Sequence, residues 1–185
     1  MLQEKCANVS FYEFQKRVKD ASIKDVKNRG KWIITSLDNG ENVLLSLGMD
    51  ADVMYFENEE DQADKYQVKV TFNDGSGYTA RFLWFGKFLL VSDDELASEP
   101  NTKAIAIDPF DERFTLDYFS SLLKGKKTQI KAFLMNQKNI GGIGNMYMHD
   151  ILFKARLHPQ KKISDMEGDE IELLYNSPAL SAVRQ

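Results

Sequence analysis

The sequence predicts an α+β protein, an antiparallel β-sandwich followed by an α-helical half. Three observations carry this. Residues 22–91 divide into short runs rich in β-branched and aromatic side chains, separated by turn signals such as Asn39-Gly40 and Asn73-Asp74-Gly75. Residues 115–176 change to helical spacing with capping residues at its breaks. Between the two, residues 92–113 are polar and irregular and carry Pro100 and Pro109. The boundary falls there, giving domains 1–99 and 100–185.

Taken in order, residues 10–20 read as a helix, because Ser10 can cap it and Phe11, Phe14 and Val18 then share one face. Residues 22–27 alternate weakly. KWIITSL (31–37) and NVLLSL (42–47) flank Asp38-Asn39-Gly40, and Asn-Gly between two β-rich runs is a strong hairpin signal. Residues 52–56 form a further strand, and the acidic ENEEDQAD (57–64) a polar loop. Strands over 66–72, 78–84 and 87–91 complete a pattern of short, tightly turned strands, that of an antiparallel sandwich or barrel. Thr115 caps a helix over 115–123, and Thr128 a second that carries Ile130, Phe133 and Leu134. A third helix over 145–156 has Met146, Ile151, Leu152 and Ala155 as apolar positions and stops at His158-Pro159, since a residue before proline avoids helix. Ser164 caps a fourth, over 165–176.

Composition excludes several classes. With 185 residues and a hydrophobic fraction of 43%, the chain buries a core without staples. One cysteine, Cys6, rules out an internal disulfide, and with His149 and His158 it is too few for a structural zinc site, so no metal and no cofactor is expected. No apolar run is long enough to span a membrane, and no signal peptide pattern opens the chain. A cytoplasmic, monomeric protein is expected.

Charge is segregated. Residues 124–162 carry a net +8 in a chain of net −4. That segment contains NIGGIGN, with Gly141, Gly142 and Gly144 set between two helices. A glycine-capped bend would account for one such glycine. Three in four residues, next to a helix start, point to an anion site instead: the amide N–H groups of residues 141–144 would face outward beside the helix N-terminus. Asn145 adds a side-chain donor, and lysines such as Lys131 and Lys138 lie nearby in sequence. The ligand that fits is a phosphodiester backbone.

IKAFLMNQKNIGGIGNMYMHDILFKARLHP (130–159) resembles the helix-two-turn-helix segment of the formamidopyrimidine-DNA glycosylase / endonuclease VIII family, whose pattern is close to IKxLLLDQxxxAGIGNxYxxExLFxAxIHP. Matching positions include Lys131, Gln137, Gly142, Gly144 and Asn145; Gly141 stands where the family has alanine. Upstream, VKNRGKWIITSLDNGENVLLSLGM is similar to the family's RRGKYLLxxLxxGxxLxxHLGM. The resemblance implies that Lys31 and Asn145 hold phosphates beside a lesion. It also implies that Met49 fills the gap left by an extruded base. The DNA-binding set is then Lys31, Met49, Lys131, Gln137, Gly141, Gly142, Gly144 and Asn145.

The resemblance also implies a function: base-excision repair, with removal of oxidised bases and strand cleavage at abasic sites in double-stranded DNA. Two family features find no counterpart. The proline–glutamate pair that supplies the attacking amine is missing, since no proline precedes Pro100, so no catalytic residue is assigned and impaired activity is expected. The four-cysteine zinc finger is missing as well, and the sandwich is expected to be incomplete at its start. In FLWFG (82–86), Leu83 and Trp84 occupy the places of the family's arginines, while Phe85-Gly86 is kept. The alternatives are a non-catalytic nucleic-acid binder or an inactive gene fragment.

Overall fold

Seven strands form two antiparallel sheets in the computed structural model, which describes residues 4–177 and 180. The four-stranded sheet takes β1 (Ile23–Arg29), β2 (Trp32–Leu37), β3 (Glu41–Ser46) and β7 (Lys87–Ser92), in the order β1-β2-β3-β7. The three-stranded sheet takes β4 (Asp52–Phe56), β5 (Val68–Thr71) and β6 (Gly77–Arg81), in the order β4-β6-β5. The Asn39-Gly40 hairpin forms as expected, pairing Trp32 with Ser46 through Ser36 with Asn42. Gly40 takes the positive φ, +83°, that the turn requires.

Inward-facing residues of both sheets, among them Val43, Leu45, Val68, Ala80, Phe88 and Leu90, make one apolar core. Helix α1 (Phe11–Val18) adds Phe14, whose ring stacks on Phe88 at 5.0 Å. Ser10 caps α1, accepting from Glu13 N. Strand β1 is exposed along its whole length, and its alternating Lys24, Asp25, Lys27 and Arg29 discourage pairing with another chain at this sheet edge.

The helical residues surround a second core that includes Phe119, Phe133, Leu134, Met148, Ile151 and Leu152. It is built by α3 (Leu116–Leu123), α4 (Ile130–Met135), α5 (Asn145–Lys154) and α6 (Gly168–Tyr175). Thr115 caps α3 as expected.

Four local readings are corrected. Gln129, not Thr128, precedes α4. Thr128 O accepts from Ile163 N and Gln129 pairs with Lys162, which holds this stretch extended, so the helix starts later. Ser164 lies in a short 3-10 turn with its hydroxyl on Asp165, and Glu167 caps α6 in a reciprocal pair with Glu170. Met146 is 77% exposed, because the buried face of α5 follows Met148, Ile151, Leu152 and Ala155 at helical spacing. Within the segment read as irregular, α2 (Asp93–Leu96) forms behind a Ser92–Glu95 capping box.

The chain divides into two compact units. One comprises residues up to Asn28 together with Trp32–Lys103, and the other Arg29–Lys31 together with residues from Ala104 onward. The turn between β1 and β2 thus belongs with the helices.

Candidate nucleic-acid interface

Three segments of the helical unit meet at the glycine joint: the turn Arg29–Lys31, residues 105–107, and residues 137–145. The joint is anchored from below by Ile140 and Ile143, both buried in the helical core. Ala106 N donates to Gln137 O at 2.9 Å, and Gly141 N donates to Ile107 O at 3.0 Å, so residues 105–107 clip the joint on one side. Gly141 has no room for a side chain there, because a Cβ would stand 2.5 Å from Ala106 O. Gly142 has φ +84°, a conformation that glycine adopts without strain.

Gln137 fastens the bend. Its Oε1 accepts from Gly142 N at 2.9 Å, and its Nε2 donates to Ile143 O at 2.9 Å and to Met135 O at 3.3 Å. The side chain therefore shapes the joint from within. The expectation that all four amides of residues 141–144 face outward is corrected: those of Gly141 and Gly142 are already donated inside the protein. The remaining donors lie one step on. Gly144 is the N-cap residue of α5, and the N–H groups that open that helix have no intrahelical acceptor. Asn145 is exposed at the first helical position, where the dipole favours an anion.

Lys31 completes the cluster. A Cβ on Gly144 would stand 3.4 Å from Lys31 Nζ, so the ammonium lies directly beside the start of α5. It has no ion pair or hydrogen bond among the described residues, and partial desolvation holds its pKa below the ordinary lysine value. Gly30 lets the turn come this close: its φ is +60°, and a Cβ would stand 2.8 Å from Ile105 Cγ2 and 3.3 Å from Gly142 N. Gly30 and Ile105 were missed from sequence. The signal for Gly30 was present in the Arg-Gly-Lys triplet at 29–31.

Lys31, Gln137, Gly141, Gly142, Gly144 and Asn145 are thus brought together, and the other two residues of the expected set, Lys131 and Met49, make none of these contacts. Lys131 sits in the first turn of α4, half-buried, with its backbone N–H on Pro159 O. Met49 belongs to the sandwich unit, bridged to Trp84 through Met49 N to Trp84 O at 2.9 Å and Leu83 N to Met49 O at 3.2 Å.

A β-sandwich unit and a helical unit with a glycine joint between two helices define a helix-two-turn-helix protein. Two family models match this chain: the formamidopyrimidine-DNA glycosylase N-terminal domain over residues 2–85, and the formamidopyrimidine-DNA glycosylase H2TH domain over residues 105–181. The chain belongs to the formamidopyrimidine-DNA glycosylase family. A formamidopyrimidine-DNA glycosylase of Wolbachia sp. subsp. Brugia malayi is 35% identical over 158 residues, which is 85% of this chain and 58% of that protein. One from Protochlamydia amoebophila is 32% identical over 168 residues, 89% of this chain and 58% of its own length. The chain therefore spans a little under three fifths of the length of these relatives. Among solved structures, the Lactococcus lactis enzyme in complex with DNA containing an abasic site aligns with a TM-score of 0.84 at 23% identity, over 97% of this chain and 67% of that one. Its G226P mutant with a Fapy-dG DNA aligns equally well, at 24% identity over 97% of this chain and 66% of that one. At this identity these structures speak to the fold. Among the described residues, no helix is long and apolar enough to cross a membrane.

Proposed function

We propose that this chain is a DNA-repair protein that binds damaged duplex DNA, gripping the phosphodiester backbone at the Lys31–Gly144–Asn145 clamp. The observation that carries this reading is the unpaired Lys31 ammonium set against Gly144 at the N-terminus of α5, where unsatisfied N–H groups and the helix dipole also favour an anion. Gln137, Gly141 and Gly142 contribute by holding the joint, and Lys131 adds a positive charge on α4. Relatives crystallised with abasic and Fapy-dG DNA support damaged DNA as the ligand. That partner supports a cytoplasmic location, nucleoid-associated in a bacterial cell. Base removal and strand cleavage are proposed to be impaired in these 185 residues, which contain no proline followed by glutamate.

Two measurements test this. With about four phosphates neutralised, the log–log dependence of affinity on salt has a slope of roughly −3.6. Salt-insensitive binding to duplex DNA would sink the clamp. For the chemistry, borohydride trapping on abasic DNA is expected to give no covalent adduct at high protein concentration, and an adduct would establish a working lyase.

Lys31 also sets a pH dependence. Only its protonated form pairs with a phosphate, and its pKa is lowered by desolvation. Affinity is therefore full below that lowered pKa and is lost as pH rises through it, earlier than for an ordinary lysine at about 10.4. Lys31→Arg keeps its charge throughout and is expected to abolish the decline. Parallel declines of the two proteins, measured by fluorescence anisotropy from neutral to alkaline pH, would remove Lys31 from the clamp.

A further inference from the structure

The helical unit holds a cavity of about 490 Å³ that takes in none of the clamp residues. It opens where α3 ends. Lys124 N donates to Ser121 O at 3.3 Å and Lys126 N to Leu123 O at 3.0 Å, with Gly125 at φ +73° between them, so the chain leaves the helix through a closed, glycine-reversed turn. The opposite wall is the extended pairing of residues 128–129 with 162–163, in which Ile163 N donates to Thr128 O at 3.0 Å. Turn and pairing set Lys124, Lys126 and Lys127 around one opening.

The lining has two parts. Its floor is aliphatic: Leu123 and Ile163 are buried in the helical core, and Ile171 packs against that core. Its rim is cationic: Lys124, Lys126 and Lys127 are exposed, and none has an ion pair among the described residues. No acidic residue lines the cavity to neutralise them.

Three lysines within three steps of chain, a reach of at most about 11 Å, repel one another and favour a ligand with several closely spaced negative charges. Nucleic acid has the charges, but this lining has no aromatic side chain to stack on a base and no arginine to fork a phosphate. An aliphatic floor also gives a sugar–phosphate chain nothing to bury. An acidic peptide supplies both parts, carboxylates at residue spacing and an aliphatic side chain between them. Lysine suits the arrangement, because its stem lies along apolar surface while its ammonium stays in water at the rim.

We propose that this cavity docks an acidic segment of a partner protein. An aliphatic side chain of that segment seats on Leu123, Ile163 and Ile171, and its flanking carboxylates pair with Lys124, Lys126 and Lys127. The site stands apart from the proposed DNA clamp, since Lys31, Gly144 and Asn145 do not line it, so the two can be removed separately.

The probe is a fluorescein-labelled peptide of sequence Glu-Asp-Leu-Asp-Glu, blocked at both ends and titrated with the full chain at low salt. Saturable binding is expected. Replacing Lys124, Lys126 and Lys127 together by glutamine should weaken it about tenfold, the combined effect of three exposed charge pairs. Exchanging the peptide's leucine for serine should also cost about tenfold, the loss of one buried aliphatic side chain. The triple variant should keep its affinity for duplex DNA within threefold. No saturation at millimolar peptide overturns the proposal, as does a loss below threefold in either arm. So does a fall in DNA affinity as large as the fall in peptide affinity, which would assign the rim to nucleic acid. Self-association that the triple variant abolishes would assign the cavity to a second copy of this chain and overturn it too. Should the triple variant fail to fold, Lys126→Glu, a single exposed change, decides in its place with an expected loss of at least threefold.

Discussion

Gly141→Val is expected to abolish specific binding to abasic DNA and to destabilise the helical unit by about 1–3 kcal/mol, the usual cost of forcing extra atoms into a packed site. The backbone at Gly141 does not have a positive φ, so the penalty is one of space. A Cβ meets Ala106 O at 2.5 Å and Ile105 Cγ2 at 3.1 Å. Relief requires breaking the Gly141 N to Ile107 O bond, and the joint moves off its support with it. Gly144→Ala is the control with the opposite profile. Its Cβ meets only Lys31, Nζ at 3.4 Å and Cε at 3.6 Å, the end of a flexible side chain. Stability should stay within about 0.5 kcal/mol, as for an ordinary surface change, while affinity falls because the methyl occupies the anion's approach. Urea denaturation and anisotropy on both variants separate the two. Equal destabilisation by both would contradict the geometry.

Gly48→Ala should strongly destabilise the sandwich unit. Alanine there takes on a left-handed conformation, costing about 1–2 kcal/mol, and its Cβ collides with backbone atoms of Trp84, Phe85 and Gly86. Backbone cannot swing aside as a side chain does, so the Met49–Trp84 bridge must open. With an overpacking cost of about 1–3 kcal/mol added, a loss of about 3 kcal/mol is expected. For a unit of this size that lowers its melting temperature by roughly 12–24 °C. Trp32, buried in β2, reports the transition. A shift of less than about 4 °C, the smallest expected from 1 kcal/mol, would show that the loop is not seated as described.

Much of this was legible in the sequence, for a physical reason. Antiparallel strands joined by tight turns depend on local chemistry, and Asn39-Gly40 and the short β-rich runs announce it. Helix starts were less legible. Thr128 and Ser164 are good caps in isolation, but a pairing of residues 128–129 with 162–163 claimed that stretch for extended structure. Tertiary context overrode a local preference. At the joint, composition indicated an anion site, and Lys31, Gln137, Gly141, Gly142, Gly144 and Asn145 lie together there. Which amides are free was not legible, because that depends on Gln137 and Ile107 arriving from either side. The FLWFG run was visible only as a departure from the family's arginines. That it is displayed follows from the φ of Phe85 and the close seat on Gly48, which no periodicity reveals.

The turn Arg29–Lys31 sits with the helices although strands flank it on both sides. This imposes a rule on recombination. A gene segment carrying everything from residue 104 onward would transmit the helices, the glycine joint and Asn145, but leave the clamp's lysine behind in the donor. Grafting the helical unit onto another scaffold therefore requires a hairpin that returns an Arg-Gly-Lys turn to the same spot. The two units look separable by cutting the chain once, yet as heritable modules they interleave, with three residues of the helical unit set inside the stretch that carries the sandwich.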